Sequence, residues 1–187
     1  MRPMAFATAL VAVVLAGAGR ASADQTELRA VDAAKSTAQF CIQHVFVSRV
    51  CGTVPIAAGT VELSAGSLIP AKVTASLDPS RIDTGEPDRD ASLESPDYFD
   101  VKQFPTWSFA SAKVAATGAS AFGMDGDLTM HGVTQSEHLD VTVTGDAVHP
   151  VYHASGQIDR RAFQMKGTRL DPVIGNVADV TLEIRLK

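Results

Sequence analysis

The chain has 187 residues and a formal net charge of −5, with 21 acidic residues against 16 lysines and arginines. This length suits a single domain with one hydrophobic core. The acidic balance and the lack of a basic run argue against nucleic acid as a partner, because phosphate binding needs clustered cations. They also argue against adhesion to an anionic membrane surface.

The first 23 residues have the pattern of a secretory signal peptide. Arg2 precedes an apolar run over residues 5–19, and a small-residue motif ends at Ala23. This run is shorter than the roughly 20 residues that a membrane span needs, so the pattern favours cleavage over a membrane anchor. We predict an exported mature domain, residues 24–187, without an integral membrane segment. Its net charge is −7, because cleavage removes two of the 16 cationic residues and none of the 21 acidic ones.

From Leu28 onward the chain is a series of short runs separated by Gly, Pro, Asp and Ser. Within the runs, apolar residues recur at every second position with polar residues between them, which is typical of a sheet with one buried and one solvated face. About eight such strands favour closure into a barrel, because closure removes exposed edges. The predicted fold is all-β, a single antiparallel eight-stranded barrel.

One short helix is predicted between two of these strands. A turn at residues 83–85 precedes it, because the Asp83 carboxylate can bond its own backbone two residues on while Gly85 tolerates a positive φ. Residues 88–95 then form the helical insert, with Asp88 as its N-cap and a proline after its last turn. We expect this insert to cover one mouth of the barrel.

The same stretch carries a family resemblance. It begins with Ile-Asp-Thr-Gly at residues 82–85 and continues with Arg-Asp-x-x-Leu-x-Ser-x-Asp-Tyr-Phe-Asp-Val-x-x-Phe-Pro at residues 89–105. Phe-x-Ser follows at residues 109–111, and Gly-Asp-Leu-Thr-Met-His-Gly-Val-Thr stands at residues 126–134. This order resembles the YceI-like family of periplasmic polyisoprenoid-binding or lipid-binding proteins. The resemblance implies a lipocalin-like barrel, a periplasmic location and an apolar ligand.

Two positions depart from the family pattern. Gln164 stands where the turn usually has glycine, and Val54 stands where an aromatic residue is often found. These departures indicate a pocket of different shape, so a fatty acid or its amide stays open beside a long isoprenoid.

The interior of the predicted barrel has two interpretations. An eight-stranded barrel is either just filled by side chains or holds one small ligand, and periodicity alone leaves both open. Flexible methionines such as Met124, Met130 and Met165 suit an apolar ligand, and the resemblance adds further support for a ligand. Four residues are expected to line a tunnel inside the barrel: Trp107, Phe109, Phe122 and Met124. The full predicted ligand-binding set is Phe40, Ile42, Val73, Leu77, Phe99, Trp107, Phe109, Phe122, Met124, Leu128, Met130, Val141 and Phe163.

The sequence predicts no catalytic residue, no cofactor and no metal site. His149 and His153 would lie about 13 Å apart along a strand, too far to share a metal. His131 is interpreted as a hydrogen-bonded turn residue. No nucleophile elbow or activated thiolate is visible, so the protein is predicted not to be an enzyme. Four charged residues either form structural bridges with one another or meet a ligand head group: Arg81, Arg89, Asp90 and Arg160.

The two cysteines, Cys41 and Cys51, are predicted to form a disulfide. Both alternate away from the apolar face of their strands. A chain reversal between them would bring them opposite each other at the 4.5–5.5 Å spacing of antiparallel pairs, which a disulfide accepts. An exported protein enters a compartment that permits disulfides. Two unpaired thiols are the alternative.

Three hypotheses about function remain. The leading one is periplasmic, non-catalytic binding or carriage of a long-chain apolar lipid inside the barrel, most simply a polyisoprenoid or an isoprenoid-tailed molecule. Burial of each CH₂ contributes about 0.8 kcal/mol, so ten or more buried carbons could bind tightly with little polar recognition. The second is a structural or stress-related barrel with a filled core, and the third is an enzyme acting on a lipid. The sequence leaves open the lipid and the oligomeric state, monomer or homodimer.

Overall fold

A computed structural model describes residues 26–44, 48–165 and 173–187. The predicted signal peptide lies outside these residues. The described chain contains ten strands and one α-helix, α1, at Pro87–Glu94, with short 3-10 turns at Pro79–Arg81 and Arg160–Phe163. The strands are β1 (Thr26–Ala30), β2 (Thr37–His44), β3 (Ser48–Thr53), β4 (Ile56–Ser64), β5 (Pro70–Leu77), β6 (Trp107–Gly118), β7 (Ala121–Met130), β8 (Val133–Thr144), β9 (Val151–Asp159) and β10 (Ile174–Arg185).

The strands form one antiparallel sheet in the order β1-β4-β5-β6-β7-β8-β9-β10-β2-β3. The predicted all-β class and the single short helical insert are confirmed, but the predicted count of eight strands is wrong. β1 in particular carries no alternation, because its residues are mostly exposed and Leu28 keeps 68% of its surface in solvent. An edge strand of this kind gives no apolar period to detect.

The outer strands are tied at their ends, so the sheet curls around its apolar face. Val31, just after β1, bridges Leu186 at the end of β10. Lys187 N donates to Ala30 O at 2.9 Å. At the other edge, Thr53 and Asp83 exchange backbone hydrogen bonds of 2.8 and 3.0 Å. These bonds satisfy edge groups that an open sheet would leave exposed.

The buried side chains form three clusters along the inner face. The first lies beside α1 and includes Phe99, Trp107 and Met130. The second includes Phe122 and Tyr152 and lies toward the opposite ends of β8 and β9, and the third is built mainly on β4. Strand alternation places these residues on the inner face, because successive side chains point to opposite faces of the sheet.

The Arg29 side chain links β1 to other segments at the end of the sheet that lies away from α1. Its guanidinium donates to Ala147 O at 3.2 Å, to Val148 O at 2.8 Å and to Lys187 O at 3.2 Å. Only 11% of this side chain is exposed. The edge strand β1 is thereby joined to the β8–β9 connection and to the chain beyond β10.

The helix begins at Pro87, and its N-cap lies two residues before the predicted position. Its N-cap is Glu86, which makes no side-chain capping bond, and Pro87 occupies the first helical position. The prediction of Asp88 as N-cap is therefore wrong, because the fixed φ of proline and its missing N–H suit that first position. The predicted turn before the helix is confirmed: Gly85 has φ 77° and donates its N–H to Asp83 Oδ1 at 2.8 Å.

Three described non-glycine residues have positive φ: Asp100, with φ 44°, His131 and Gln164. His131 has φ 50°, and its Nδ1 lies 3.2 Å from Phe163 O, which confirms the predicted hydrogen-bonded turn histidine. Gln164 has φ 58°, and its N–H donates to Arg161 O at 3.0 Å. Gln164 therefore keeps the backbone conformation that glycine adopts readily, in spite of its side chain.

Candidate functional site

The inner face of the sheet encloses a cavity of about 680 Å³. This volume falls in the range of small-molecule sites, about 300–1,000 Å³. Strands β2 to β10 supply mostly apolar side chains to its wall. Helix α1 contributes Arg89 and Leu93 at one end, above Tyr98 and Phe99. The helical insert thus lies against one end of a partly open, largely apolar space.

The cavity brings together most of the residues predicted to bind a ligand. Phe163 is the exception, because it is fully buried and belongs to the cluster beside α1 without facing the cavity. Contact between the cavity-lining residues and a ligand remains a prediction. The twelve that line the cavity are Phe40, Ile42, Val73, Leu77, Phe99, Trp107, Phe109, Phe122, Met124, Leu128, Met130 and Val141.

The position of Phe109 depends on a glycine in the neighbouring strand. Phe109 lies on β6 opposite Leu128, and Gly126 stands two residues away on β7. A Cβ added at Gly126 would lie 2.3 Å from Phe109 Cζ, which no real side chain tolerates. The missing side chain lets the aromatic ring lie across β7 within the barrel.

Three of the four charged residues singled out in the sequence, Arg89, Asp90 and Arg160, contact the protein backbone or a turn. Arg89 donates through Nε to Thr84 Oγ1 at 2.8 Å and through Nη2 to Thr84 O at 2.9 Å. Asp90 Oδ1 accepts from Thr84 N at 3.0 Å, so both residues attach α1 to the preceding turn. Arg160 is 7% exposed and donates through Nε to Gly175 O at 2.8 Å. Arg81 is exposed at the end of the first 3-10 turn.

The wall also contains a carboxyl group that sequence reasoning missed. Glu137 is half-buried on β8 and lines the cavity together with Leu139 and Val141. Burial raises the pKa of the Glu137 carboxyl, and the charge of Asp159 raises it further. The signal was present, because the inward series of Leu139, Val141 and Val143 reaches Glu137 when it is extended by one step of two residues.

Two buried polar atoms have no hydrogen-bond partner among the described residues, namely Nε1 of Trp107 and the hydroxyl of Tyr152. The Trp107 ring packs edge-on against Phe99, with ring centroids 4.7 Å apart. Burial raises the pKa of the Tyr152 hydroxyl, and the nearby charge of Arg29 opposes this shift. Both side chains line the cavity, Trp107 within the cluster beside α1 and Tyr152 within the second cluster.

The predicted disulfide between Cys41 and Cys51 is confirmed. The two residues are direct partners in the β2–β3 hairpin, with a Cα–Cα distance of 4.0 Å. Neither cysteine lines the cavity, whereas their neighbours Phe40, Ile42 and Val50 do. The bridge therefore lies on the outer face, as the alternation predicted.

The two histidines that were weighed as metal ligands have other neighbours. His149 Nδ1 lies 3.9 Å from Asp146 Oδ1, and His153 Nε2 lies 3.2 Å from Thr144 Oγ1. Within residues 26–44, 48–165 and 173–187 no group of three His, Cys, Asp or Glu side chains is placed to hold a metal ion. In the same part of the chain, no helix has the length and apolar character needed to cross a membrane.

A histidine on the outer face is held between two carboxylates. His138 Nδ1 lies 2.5 Å from Asp125 Oδ1, and His138 Nε2 lies 3.5 Å from Asp140 Oδ1. The hydrogen bond to Asp125 raises the pKa of His138 above its ordinary value of 6.5. The charged pair therefore stabilises the fold fully below about pH 6.5, and this contribution is lost as the pH rises through the folded-state pKa.

We expect the substitution Asp125→Asn to lower the pKa of His138 toward its ordinary value, because the neutral amide no longer favours the imidazolium. NMR titration of the His138 ring protons measures this directly. Asp127→Asn is the matched control, since Asp127 is an exposed residue of the same strand that stands opposite Ser136, whereas Asp125 stands opposite His138. An unchanged His138 pKa in the Asp125 variant would contradict the assigned cause.

The geometry defines a class of protein: a curled antiparallel β-sheet around an apolar cavity, with a helix at one end. The family model for the YceI-like domain matches residues 30–186. The chain belongs to the YceI-like family, as its motifs predicted.

Relatives and solved structures agree with this assignment. A UPF0312 protein of Vibrio campbellii is 25% identical over 190 residues, covering 100% of this chain and 98% of the relative. One from Pseudomonas savastanoi pv. phaseolicola is 32% identical over 111 residues, but the match spans only 58% of the relative and 59% of this chain. The fold is similar to BcnA of Burkholderia cenocepacia, with a TM-score of 0.75 and 20% identity over 84% of this chain and 99% of BcnA.

A polyisoprenoid binding domain from Saccharophagus degradans shares the same fold. Its TM-score is 0.66 at 14% identity, and the match covers 86% of this chain and 99% of that domain. At this identity the likeness establishes the architecture alone.

Proposed function

We propose that this protein binds or carries a long-chain apolar lipid, without catalysis, in the periplasm. The observation that carries the proposal is the apolar cavity of about 680 Å³. Packed cores leave few voids larger than a water molecule, so a space of this size does not suit the alternative of a filled core. The signal-peptide pattern supports export, and the family supports a lipid ligand.

The size of the cavity sets the length of chain that it can hold. A methylene group occupies about as much space as a water molecule in the liquid, roughly 30 Å³. A cavity of about 680 Å³ therefore accommodates on the order of twenty carbons. Each buried CH₂ contributes about 0.8 kcal/mol, so such a chain would bind tightly even after the cost of ordering it.

An isoprenoid-tailed molecule is the ligand class that we favour. The polyisoprenoid binding domain from Saccharophagus degradans has the same fold. The wall combines aromatic rings such as Phe109 and Phe122 with the flexible side chains of Met124 and Met130. Methionines adapt to branched chains of irregular outline, which suits the methyl groups of an isoprenoid. A fatty acid or its amide of similar length is the second candidate.

Fluorescence of Trp107 tests this proposal, because it is the only tryptophan of the sequence and lines the cavity. Titration with geranylgeraniol, a C20 prenyl alcohol, is expected to change the emission in a saturable manner as the chain displaces solvent near the indole. The C5 alcohol prenol is the control and should leave the emission unchanged at the same concentration. Calorimetry showing no binding of geranylgeraniol would contradict the proposal.

A further inference from the structure

We propose that Glu137 selects the head group of the bound lipid, favouring neutral or cationic groups that donate a hydrogen bond, such as an alcohol or an amine, over carboxylates and phosphates. This inference rests on the proposed function and specifies the ligand class of the same cavity. It follows from three features of the wall.

The first feature is the position of Glu137. It pairs with Gly126 across the β7–β8 ladder and lines the cavity in the same inward series as Leu139 and Val141. The ring of Phe109 lies over Gly126, the residue directly opposite Glu137 in this ladder. A carboxylate beside an aromatic ring is a favourable setting for an ammonium group and for a hydroxyl donor.

The second feature is that Glu137 has no hydrogen-bond or ion-pair partner within residues 26–44, 48–165 and 173–187. No described residue donates a hydrogen bond to its carboxyl group or forms an ion pair with it. Burying a carboxylate that accepts no hydrogen bond is unfavourable in free energy. The loss is larger than for a neutral group, because hydrogen bonds to charged groups are stronger. A ligand that brings a donor would remove this cost on binding.

The third feature is the state of the cationic groups in the wall. The Arg89 guanidinium donates hydrogen bonds to Thr84, and the Arg160 guanidinium donates to the carbonyl oxygens of Ile174 and Gly175. Their guanidinium groups are therefore engaged with the protein, whereas Glu137 faces the cavity. The nearby charge of Asp159 adds negative potential at Glu137.

These features predict discrimination between ligands that share one chain. An anionic head group near Glu137 meets a like charge in a site of low polarity, which lowers affinity by about tenfold or more. A hydroxyl group donates to the carboxylate, and an ammonium group adds charge attraction. The expected order of affinity at pH 8 is geranylgeranylamine, then geranylgeraniol, then geranylgeranoic acid.

The experiment measures these three C20 ligands by calorimetry with the mature protein and with the variant Glu137→Gln. In the wild type we expect the acid to bind about tenfold more weakly than the alcohol. In Glu137→Gln this gap should shrink to about threefold or less, and the amine should lose its advantage. Glu62→Gln is the matched control, because Glu62 lies on β4 outside the cavity wall and should keep the wild-type order.

Equal affinities of the acid and the alcohol in the wild type would overturn the role of Glu137, and so would an unchanged gap in a folded Glu137→Gln variant. If circular dichroism shows that the variant is unfolded, the order of affinity of the three ligands for the wild type tests the role of Glu137 by itself. Failure of all three ligands to bind would instead overturn the proposed function itself.

Discussion

The substitution Ala178→Phe is expected to weaken geranylgeraniol binding by roughly a hundredfold. Ala178 lies on β10 between Ile42 and Ile158 and lines the cavity. The added phenyl group would displace about four methylene groups of the ligand, at about 0.8 kcal/mol each, or about 3 kcal/mol in total. Titration of Trp107 emission gives the two dissociation constants.

Ala110→Phe is the matched control for this experiment. Ala110 is exposed on the outer side of β6 and takes no part in the cavity wall, so the same added bulk should leave affinity unchanged. Wild-type affinity in a folded Ala178→Phe variant would show that the ligand lies elsewhere. Equal losses in both variants would indicate a general effect on the fold.

Removal of the disulfide is expected to lower the free energy of unfolding by about 3 kcal/mol, measured by guanidinium denaturation of the variant Cys41→Ser/Cys51→Ser. The bridge closes a loop between residues ten apart and joins β2 to the edge strand β3, which pairs with β2 alone in the sheet. In the chain-entropy model, closing this loop lowers the conformational entropy of the unfolded chain, and the folded state is stabilised relative to it. The loss is a large part of the stability of a small domain.

Reduction of the wild type provides the control for this prediction. Dithiothreitol should move the wild-type denaturation midpoint to that of the double variant and should leave the double variant unchanged. A double variant as stable as the oxidised wild type would contradict the stabilising role of the bridge.

The alternation of apolar residues predicted the larger part of the fold. The buried positions of β7, such as Phe122 and Met124, follow from a period of two, and so does the outer position of Cys41 and Cys51. The edge strand β1 gave no such signal, because its side chains are exposed. The helix start was misplaced because Asp88 is a good capping residue, whereas Pro87 sets the first helical position.

The site was predictable only in part. Alternation assigns a residue to a face, but the volume of a cavity depends on packing between distant strands, which a local pattern does not contain. Phe163 shows this limit, since it has the character of a lining residue and is buried behind the wall. Glu137 shows the reverse, because a charged residue at an inward position was not expected in an apolar series.

The most direct test of a lipid-filled cavity is native mass spectrometry of mature protein purified from its own host, together with lipid extraction of the same sample. The account predicts a species heavier than the bare mature chain by the mass of one lipid, and an extract that contains an isoprenoid or another long-chain lipid of the same mass. A bare protein mass, no extractable lipid and no uptake of added geranylgeraniol would contradict it.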